Sequence, residues 1–234
     1  MLLSFVYFCS TCMEEQEKYM YRCFELARTG GGWVAPNPKV GAVLVYGDQI
    51  IGEGYHAQFG AAHAEVNCLQ NVLPEHREYI PASTLYVNLE PCCHFGKTPP
   101  CTDLIIQSGI KTVVIANTDP FPKVKGGGIK KLEAAGITVL SGMLANTGSW
   151  LNRRFFSMQT ESRPYIILKW AQTRDGFIGA LQGERLFISN ELTQRKVHAW
   201  RAAEASILIG YRTALMDNPQ LTNRLIPGKQ PVRL

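Results

Sequence analysis

The chain has 234 residues, 46% of them hydrophobic and 18% charged, which is the composition of a globular protein with a full core. This length suits one large domain, or one domain followed by part of a second. The net charge is +5, and the Lys and Arg residues are scattered, without a dense run interleaved with aromatic residues. This pattern argues against a nucleic-acid-binding surface. It leaves two interpretations, a solvated surface or a small anionic substrate such as a phosphate ester.

The N-terminal residues 1–12 are apolar but match neither a signal peptide nor a membrane anchor. They lack a basic start and a cleavage site, and they are shorter than the about 20 apolar residues that a membrane span needs. We expect residues 1–13 to be a disordered tail or a mis-assigned start, because Met13 is followed by an acidic segment typical of a helix start. Seven cysteines without a secretory context indicate a reducing, cytoplasmic compartment in which cysteine serves metal and core.

Hydrophobic periodicity predicts an alternation of helices and strands. In chain order the predicted elements are a helix over 17–28, a hairpin of strands over 40–46 and 50–55, a helix over 63–73, a strand over 84–89, a helix over 101–108, a strand over 112–116, a helix over 126–135 and a strand over 137–140. This α/β order implies a mixed sheet, parallel in its later part, with helices on both faces. Ligands of such sheets bind at the carboxyl ends of strands, beside helix N-termini.

A second α/β unit is predicted after a linking helix over 145–160. The predicted organisation is a first domain over 14–150, a linker over 151–164 and a second domain over 165–234. The second domain should contain a strand over 165–171, a helix over 190–205 and a strand over 206–210. Because so few residues hardly complete such a unit, we expect a partial domain. Its exposed apolar surface would favour association between copies.

Two short motifs carry the chemistry of the first domain. His63-Ala64-Glu65 and Pro91-Cys92, followed by Cys101, supply one imidazole and two thiolates. This is the three-ligand set of a catalytic zinc site, which keeps a fourth position for water. Glu65 follows the histidine by two residues and is predicted to stay off the metal and to carry protons. The arrangement is the signature of zinc-dependent nucleobase deaminases, here with eight residues, 93–100, between the two cysteines instead of two.

Two alternatives stay open at this point. Cys93 or His94 would complete a structural zinc site with four protein ligands. A nucleoside or tRNA deaminase would share the same zinc core, although a tRNA deaminase would need a basic flank and the short cysteine spacing, and the sequence has neither. The favoured interpretation is therefore hydrolysis at an amidine-type carbon that bears an exocyclic amine, with ammonia as the leaving group.

Five segments together resemble the deaminase half of the bifunctional riboflavin-biosynthesis deaminase/reductase family. They are Pro36-Asn37-Pro38-x-Val40-Gly41, Gly54-Tyr55-His56, His63-Ala64-Glu65, Leu89-Glu90-Pro91-Cys92 and Gly96-Lys97-Thr98-Pro99-Pro100-Cys101. The resemblance implies a cytidine-deaminase-like three-layer α/β/α sandwich. It also implies a substrate, 2,5-diamino-6-ribosylamino-4(3H)-pyrimidinone 5′-phosphate, that loses its 2-amino group as ammonia. The residues that it places around the pyrimidine and phosphoribose groups are Asn37, His56, His94 and Lys97.

The later part of the chain resembles the start of the family's reductase half, which has a dihydrofolate-reductase-like α/β fold. The matching residues are Leu168-Lys169, Asp175-Gly176, Arg201, Thr213, Asp217-Asn218-Pro219, Leu221-Thr222 and Arg224. The resemblance places Ala171, Thr213 and Asp217 near NADPH. It places Arg201, Leu221 and Arg224 near the phosphorylated substrate. The chain ends about where the second half of this domain would begin, so we expect a truncated reductase in which the NADPH-dependent activity is lost or incomplete.

Overall fold

The computed structural model describes residues 10–96, 99–122, 124–179 and 188–234. The chain divides into two compact units. The first unit extends to Pro164, apart from Gly31–Trp33, and the second unit comprises Gly31–Trp33 and Tyr165–Leu234.

The described part of the first unit contains six α-helices and a five-stranded sheet. The helices are α1 (Ser10–Thr29), α2 (Ala64–Gln70), α3 (Cys101–Gln107), α4 (Gly127–Ala134), α5 (Ala145–Leu151) and α6 (Arg153–Glu161), with a 3₁₀ helix at Pro74–Ala82. The strands are β1 (Gly41–Tyr46), β2 (Gln49–Tyr55), β3 (Thr84–Leu89), β4 (Thr112–Asn117) and β5 (Thr138–Ser141). Their order is β2-β1-β3-β4-β5, in which β1 is antiparallel to both neighbours and β3, β4 and β5 are parallel.

The strands build a core on each face of this sheet, because successive side chains of a strand point to opposite faces. Val43 and Val114 pack in one core with Phe24 of α1. Their neighbours Leu44 and Val113 belong to the other core, together with residues of α2, α3 and α4. The result is a three-layer α/β/α arrangement, which holds the first residues of α2 and α3 on the same side of the sheet.

Two helical segments differ from the predicted elements. Helix α1 begins at Ser10, earlier than the predicted start at residue 17. The predicted linking helix over 145–160 is instead the pair α5 and α6, because Asn152 between them leaves the helical backbone at φ −101° and ψ 20°. Both helices belong to the first compact unit. Among the described residues, no helix is long and apolar enough to cross a membrane.

The second unit contains α7 (Glu191–Ala203), β6 (Ser206–Ile207), α8 (Tyr211–Asp217) and β7 (Val232–Arg233) in its described part. Strands β6 and β7 form a two-stranded parallel sheet. The predicted strand over 165–171 is wrong, since this segment forms neither helix nor strand and is largely exposed. A strand depends on a hydrogen-bonded neighbour, and the sheet in the described part of this unit consists of β6 and β7 alone. The predicted strand over 206–210 is correspondingly limited to its first two residues.

Candidate active site

The three predicted metal ligands lie together in the first unit. His63 is the N-cap residue of α2, Cys101 is the first residue of α3, and Cys92 lies shortly after the end of β3. Their ligand atoms all lie within 4.8 Å of one another. The Sγ atoms of Cys92 and Cys101 are 3.5 and 3.3 Å from Nδ1 of His63. Within the described part of the chain, this cluster contains neither Cys93 nor His94.

The contacts inside the cluster favour an ionised Cys92. The side-chain hydrogen bond from Cys101 lowers the pKa of Cys92 to about 4, and the His63 imidazole acts in the same direction. The backbone N–H of Cys101 also donates to Sγ of Cys92, at 3.3 Å. The side-chain hydrogen bond with Cys92 in turn raises the pKa of His63. Cys101 responds oppositely, because its hydrogen bond to Cys92 and its burial raise the pKa of its own thiol.

The donor set of this cluster fits a zinc ion. One imidazole nitrogen and two sulfurs are ligands that zinc prefers, and three protein ligands are typical of a catalytic site. Metal binding requires thiolates and a neutral imidazole, and it releases the protons that these groups hold. His63, Cys92 and Cys101 are therefore the residues that would hold zinc at the beginnings of α2 and α3.

Glu65, the second residue of α2, is the carboxyl group beside this cluster. Its side chain is only 3% exposed. Burial raises its pKa, and the negative charge of Cys92 adds to this effect. Glu65 lines the same cavity as His63 and Cys92 but is not a member of the ligand cluster. A buried carboxyl group with a raised pKa is suited to accepting and returning a proton.

A cavity of about 360 Å³ adjoins the cluster. This volume lies within the range of small-molecule sites. Asn37, His56 and His94, three of the four substrate residues predicted for the first domain, line the cavity. The fourth, Lys97, lies outside the described residues. The predicted substrate residues of the deaminase half that the structure describes therefore line one cavity, together with His63, Glu65 and Cys92.

Asn37 and His56 form a pair whose hydrogen-bond roles follow from their neighbours. Nδ1 of His56 lies 3.0 Å from the carbonyl oxygen of Ala62, and Nε2 lies 3.1 Å from Nδ2 of Asn37. Because a carbonyl accepts, Nδ1 carries the proton, and Nε2 accepts from the Asn37 amide. Burial lowers the pKa of His56, which favours this neutral form. The pair leaves the Asn37 amide oxygen as an acceptor for a ligand.

Comparison with known proteins identifies the family. Residues 13–117 match the cytidine and deoxycytidylate deaminase zinc-binding region, and residues 164–234 match the RibD C-terminal domain. The riboflavin biosynthesis protein RibD of Aquifex aeolicus is 45% identical over 222 residues, which cover 94% of this chain and 61% of that protein. The chain belongs to the RibD family. It spans about three-fifths of the length of the curated relatives it matches.

Solved RibD structures share the fold. One is from Thermotoga maritima and is described as a diaminohydroxyphosphoribosylaminopyrimidine deaminase/5-amino-6-(5-phosphoribosylamino)uracil reductase. It is 45% identical to this chain, with a TM-score of 0.89, and the match covers 94% of this chain and 62% of the Thermotoga maritima chain. Acinetobacter baumannii RibD is 36% identical, with a TM-score of 0.88, and the match covers 94% of this chain and 63% of the Acinetobacter baumannii chain. The predicted fold class is confirmed, a cytidine-deaminase-like mixed sheet followed by a RibD C-terminal, dihydrofolate-reductase-like region. The cofactors of the RibD family are zinc in the deaminase region and NADPH in the reductase domain.

The cavity of this RibD-family chain has further lining residues that the site prediction did not include. They are, among others, Phe59, Asp119, Phe121, Phe155 and Gln159. The Asp119 carboxylate accepts the Phe121 backbone N–H at 2.8 Å, and burial raises the pKa of Asp119 to about 6. The Phe121 ring lies 6.0 Å from that of His94. The Asp119-Pro120 step is a turn signal that could have marked this loop. The helix over 145–160 was predicted, but nothing in its sequence indicated that Phe155 and Gln159 line the cavity.

Glu90 anchors the loop on the far side of the cavity. Its buried carboxylate accepts four backbone N–H groups, those of Asp119 at 3.0 Å, Gly126 at 3.0 Å, Gly128 at 2.8 Å and Ile129 at 3.1 Å. A Cβ at Gly128 would lie 2.1 Å from the carbonyl oxygen of Pro91, so only glycine allows this close approach. Glu90 thus ties the 119–129 segment to the residues that lead to Cys92.

In the second unit, two of the three residues predicted to lie near the phosphorylated substrate interact electrostatically. Arg201, in the last turn of α7, donates through Nη1 to the carbonyl oxygen of Thr222 at 2.9 Å. The backbone N–H of Arg224 donates to Nδ1 of His198 at 3.0 Å. Burial lowers the pKa of Arg201, and the positive charge of Arg224 adds to this effect.

The other residues predicted for the reductase half lie on different elements. Leu221 has a left-handed backbone with φ 56°. Thr213 and Asp217 are exposed residues of α8, four positions apart and therefore on one helix face. Ala171 is half-buried and lies in the segment without helix or strand.

Proposed function

We propose that this chain hydrolyses 2,5-diamino-6-ribosylamino-4(3H)-pyrimidinone 5′-phosphate in riboflavin biosynthesis and releases the 2-amino group as ammonia. The observation that carries the proposal is the combination of three ligand atoms within 4.8 Å and a buried carboxyl group, Glu65, in one cavity. A purely structural zinc site has no use for such a group. The description of the Thermotoga maritima relative as a pyrimidine deaminase/reductase supports the same reaction class.

In this proposal, one set of residues binds the metal and another residue transfers protons. Zinc held by His63, Cys92 and Cys101 would supply Lewis acidity that lowers the pKa of water. Glu65 receives a proton from the attacking water and returns protons to the ring nitrogen and to the leaving amine. Water thereby adds its oxygen to the ring carbon, the carbon–nitrogen bond breaks, and ammonia leaves. Burial, which raises the pKa of Glu65, helps it to hold the proton between these transfers.

Recognition of the substrate is proposed for the cavity wall. The Asn37 amide oxygen is an acceptor suited to an N–H donor on the pyrimidine edge, because its Nδ2 is engaged by His56. Nδ1 of His94 is buried without a hydrogen-bond partner among the described residues, which suits a polar group of a ligand. Lys97, which lies outside the described residues, is proposed to supply charge to the phosphate.

An ammonia-release assay on three substrates tests the proposal. The purified, zinc-loaded chain is given the diaminopyrimidine phosphate, cytidine and a tRNA anticodon loop. Ammonia from the first alone supports the proposed substrate. Ammonia from cytidine or the tRNA loop instead would favour the alternative, a nucleoside or tRNA deaminase with the same zinc core. No ammonia from any of them, with zinc bound, would favour a structural zinc module.

For the second unit we propose that the family's NADPH-dependent reduction of the deaminated product is lost or incomplete in this 234-residue chain. The sheet in the described part of that unit has two strands of two residues each. Large apolar side chains such as Trp170, Leu208 and Leu215 are exposed there, which supports association between copies. We also propose a cytoplasmic location, because five cysteines of the described part of the chain, Cys23, Cys68, Cys92, Cys93 and Cys101, are free thiols.

A further inference from the structure

The backbone of the loop that carries Asn37 is held by a residue far away in the sequence. Oδ1 of Asn152 accepts the backbone N–H of Lys39 at 2.8 Å, and Nδ2 of Asn152 donates to the carbonyl oxygen of the same residue at 2.9 Å. Asn152 is 4% exposed and joins α5 to α6. A side-chain amide that satisfies both polar groups of one peptide residue fixes the position and the orientation of that backbone.

A second buried side-chain amide, on a strand of the sheet, also binds the backbone of this loop. Nδ2 of Asn88, on β3, donates to the carbonyl oxygen of Lys39 at 3.0 Å, and Oδ1 of Asn88 accepts the backbone N–H of Gly41 at 2.7 Å. The Asn88 side chain is fully buried. The carbonyl of Lys39 therefore receives two donors from two different elements. We call Asn88 and Asn152, with their four hydrogen bonds, the amide clamp.

The amide clamp is connected to the cavity over a short path. Asn37 lies two residues before Lys39 and is flanked by prolines, whose fixed φ angles transmit a displacement of the backbone. On the other side, the carbonyl oxygen of Val40, the residue after Lys39, accepts the backbone N–H of His56 at 2.9 Å. The Asn37–His56 pair is thus linked to the clamp through both of its members.

We propose that Asn152, acting with Asn88, is a positioning residue for the deamination site: it holds the Lys39 backbone so that the Asn37–His56 pair meets the pyrimidine edge. This inference rests on the proposed function of the cavity. It assigns a role in the site to the segment after α5, which the sequence pattern presented as a linker. Asn152 does not line the cavity, so its effect on substrate passes through the loop.

The test compares variants of the full 234-residue chain. In Asn152→Ala both hydrogen bonds to Lys39 are lost. We expect the KM for the diaminopyrimidine phosphate to rise about ten- to a hundredfold, more than kcat falls, because a displaced binding group weakens recognition more than proton transfer by Glu65. Zinc content should stay at the wild-type level. Asn152→Asp keeps the acceptor for the Lys39 N–H but sets a second acceptor oxygen against the Lys39 carbonyl, so we expect its KM to rise at least as far as that of Asn152→Ala.

Asn117→Ala is the matched control. Asn117 is also a buried amide that anchors α5, through Ala145 and Ser149, but it has no hydrogen bond to the Lys39 loop. We expect its KM to stay within about twofold of wild type even where its unfolding midpoint falls as far as that of Asn152→Ala. An equal rise of KM in Asn152→Ala and Asn117→Ala would mean that general destabilisation causes the rise, and it would overturn the proposal.

Two readouts without turnover keep the inference separate from the proposed function. Amide hydrogen exchange at Lys39 and Gly41 should accelerate in Asn152→Ala, and the ring proton resonances of His56 should shift, while amides of β4 stay protected. Unchanged His56 resonances would overturn the positioning role. If the wild-type chain released no ammonia, the proposed function would fail, and the exchange and His56 signals would still decide whether Asn152 positions the pair.

Discussion

Nδ1 of His63 lies 3.3 Å from Sγ of Cys101, although the two residues are 38 positions apart in the chain. Each stands at the beginning of a helix, and the two helices pack on the same face of the sheet through Cys68 and Ile105. The ligand distance is therefore set by the core beneath it. Zinc binding and the stability of the first unit should be coupled for this reason.

Replacing a ligand should remove the metal. Cys101→Ser exchanges a thiolate for a hydroxyl group, a poor zinc ligand, so we expect zinc to fall from about one per chain to a small fraction of that. Elemental analysis after dialysis measures the change. Cys93→Ser is the control, because Cys93 stands outside the ligand cluster. Loss of zinc in Cys93→Ser alone would mean that the ligand set is wrong.

Replacing Glu65 should stop the reaction and spare the metal. Glu65→Gln keeps the size of the side chain but cannot carry a proton. We expect kcat for ammonia release to fall about 10²- to 10⁴-fold, the usual contribution of a general acid–base group, with zinc content unchanged. Steady-state kinetics and elemental analysis on the same sample provide the comparison. Wild-type kcat in this variant would refute the role assigned to Glu65.

Removing the charge of Glu90 should destabilise the first unit. In Glu90→Gln one carboxylate oxygen becomes an amide nitrogen, which cannot accept from the backbone N–H groups that the oxygen served. We expect the free energy of unfolding to fall by about 2–4 kcal/mol, since hydrogen bonds to charged groups contribute strongly. Urea unfolding measures it. Glu133→Gln, at an exposed position of α4, should change it by less than about 0.5 kcal/mol.

Asp119 should make stability depend on pH. Burial raises its pKa from 3.8 to about 6, so the folded chain binds this proton more tightly than the unfolded chain. Below about pH 4 the carboxyl group is protonated in both the folded and the unfolded chain, and its burial costs no stability. As the pH rises from about 4 to about 6, the unfolded chain releases the proton first, and the free energy of unfolding falls. Asp119→Asn should therefore be more stable than wild type by up to about 3 kcal/mol at pH 7.5, with no gain at pH 4.

Thermal or urea unfolding of the Asp119→Asn variant at several pH values measures this difference. The amide oxygen can still accept the Phe121 N–H, so the loop keeps its turn. Asp48→Asn, at an exposed position, is the control and should change the free energy of unfolding by less than about 0.5 kcal/mol. A gain that is constant from pH 4 to 7.5 would contradict a titration of Asp119.

The second unit should not support reduction in this chain. We expect no oxidation of NADPH above background when the chain is given the deaminated pyrimidine product. The reason is the small sheet of this unit, which in its described part has two strands of two residues each. The decrease in the near-ultraviolet absorbance of NADPH measures turnover, and steady oxidation that depends on the pyrimidine product would prove this expectation wrong.

Much of the first unit could be predicted from the sequence, because its elements carry strong local periodicity. The strand pairs around Val43 and Val114 and the helix around Phe24 follow from alternating or helical apolar spacing. The prediction of a strand over 165–171 was wrong, because local periodicity is not sufficient to form a strand. Its apolar run suits a strand, but a strand exists only beside a partner, and local pattern does not specify one.

The zinc site and its proton carrier could be predicted from local spacing alone, because a histidine, two cysteines and a nearby glutamate stand at characteristic distances along the chain. The residues proposed to hold the loop beside that site become visible only when the chain is folded. Asn152 reaches Lys39 across 113 positions, and Asn88 reaches it from the sheet. Neither contact has a local signal, because hydrogen bonds between distant segments depend on how helices and sheet pack together and not on the spacing of residues along the chain.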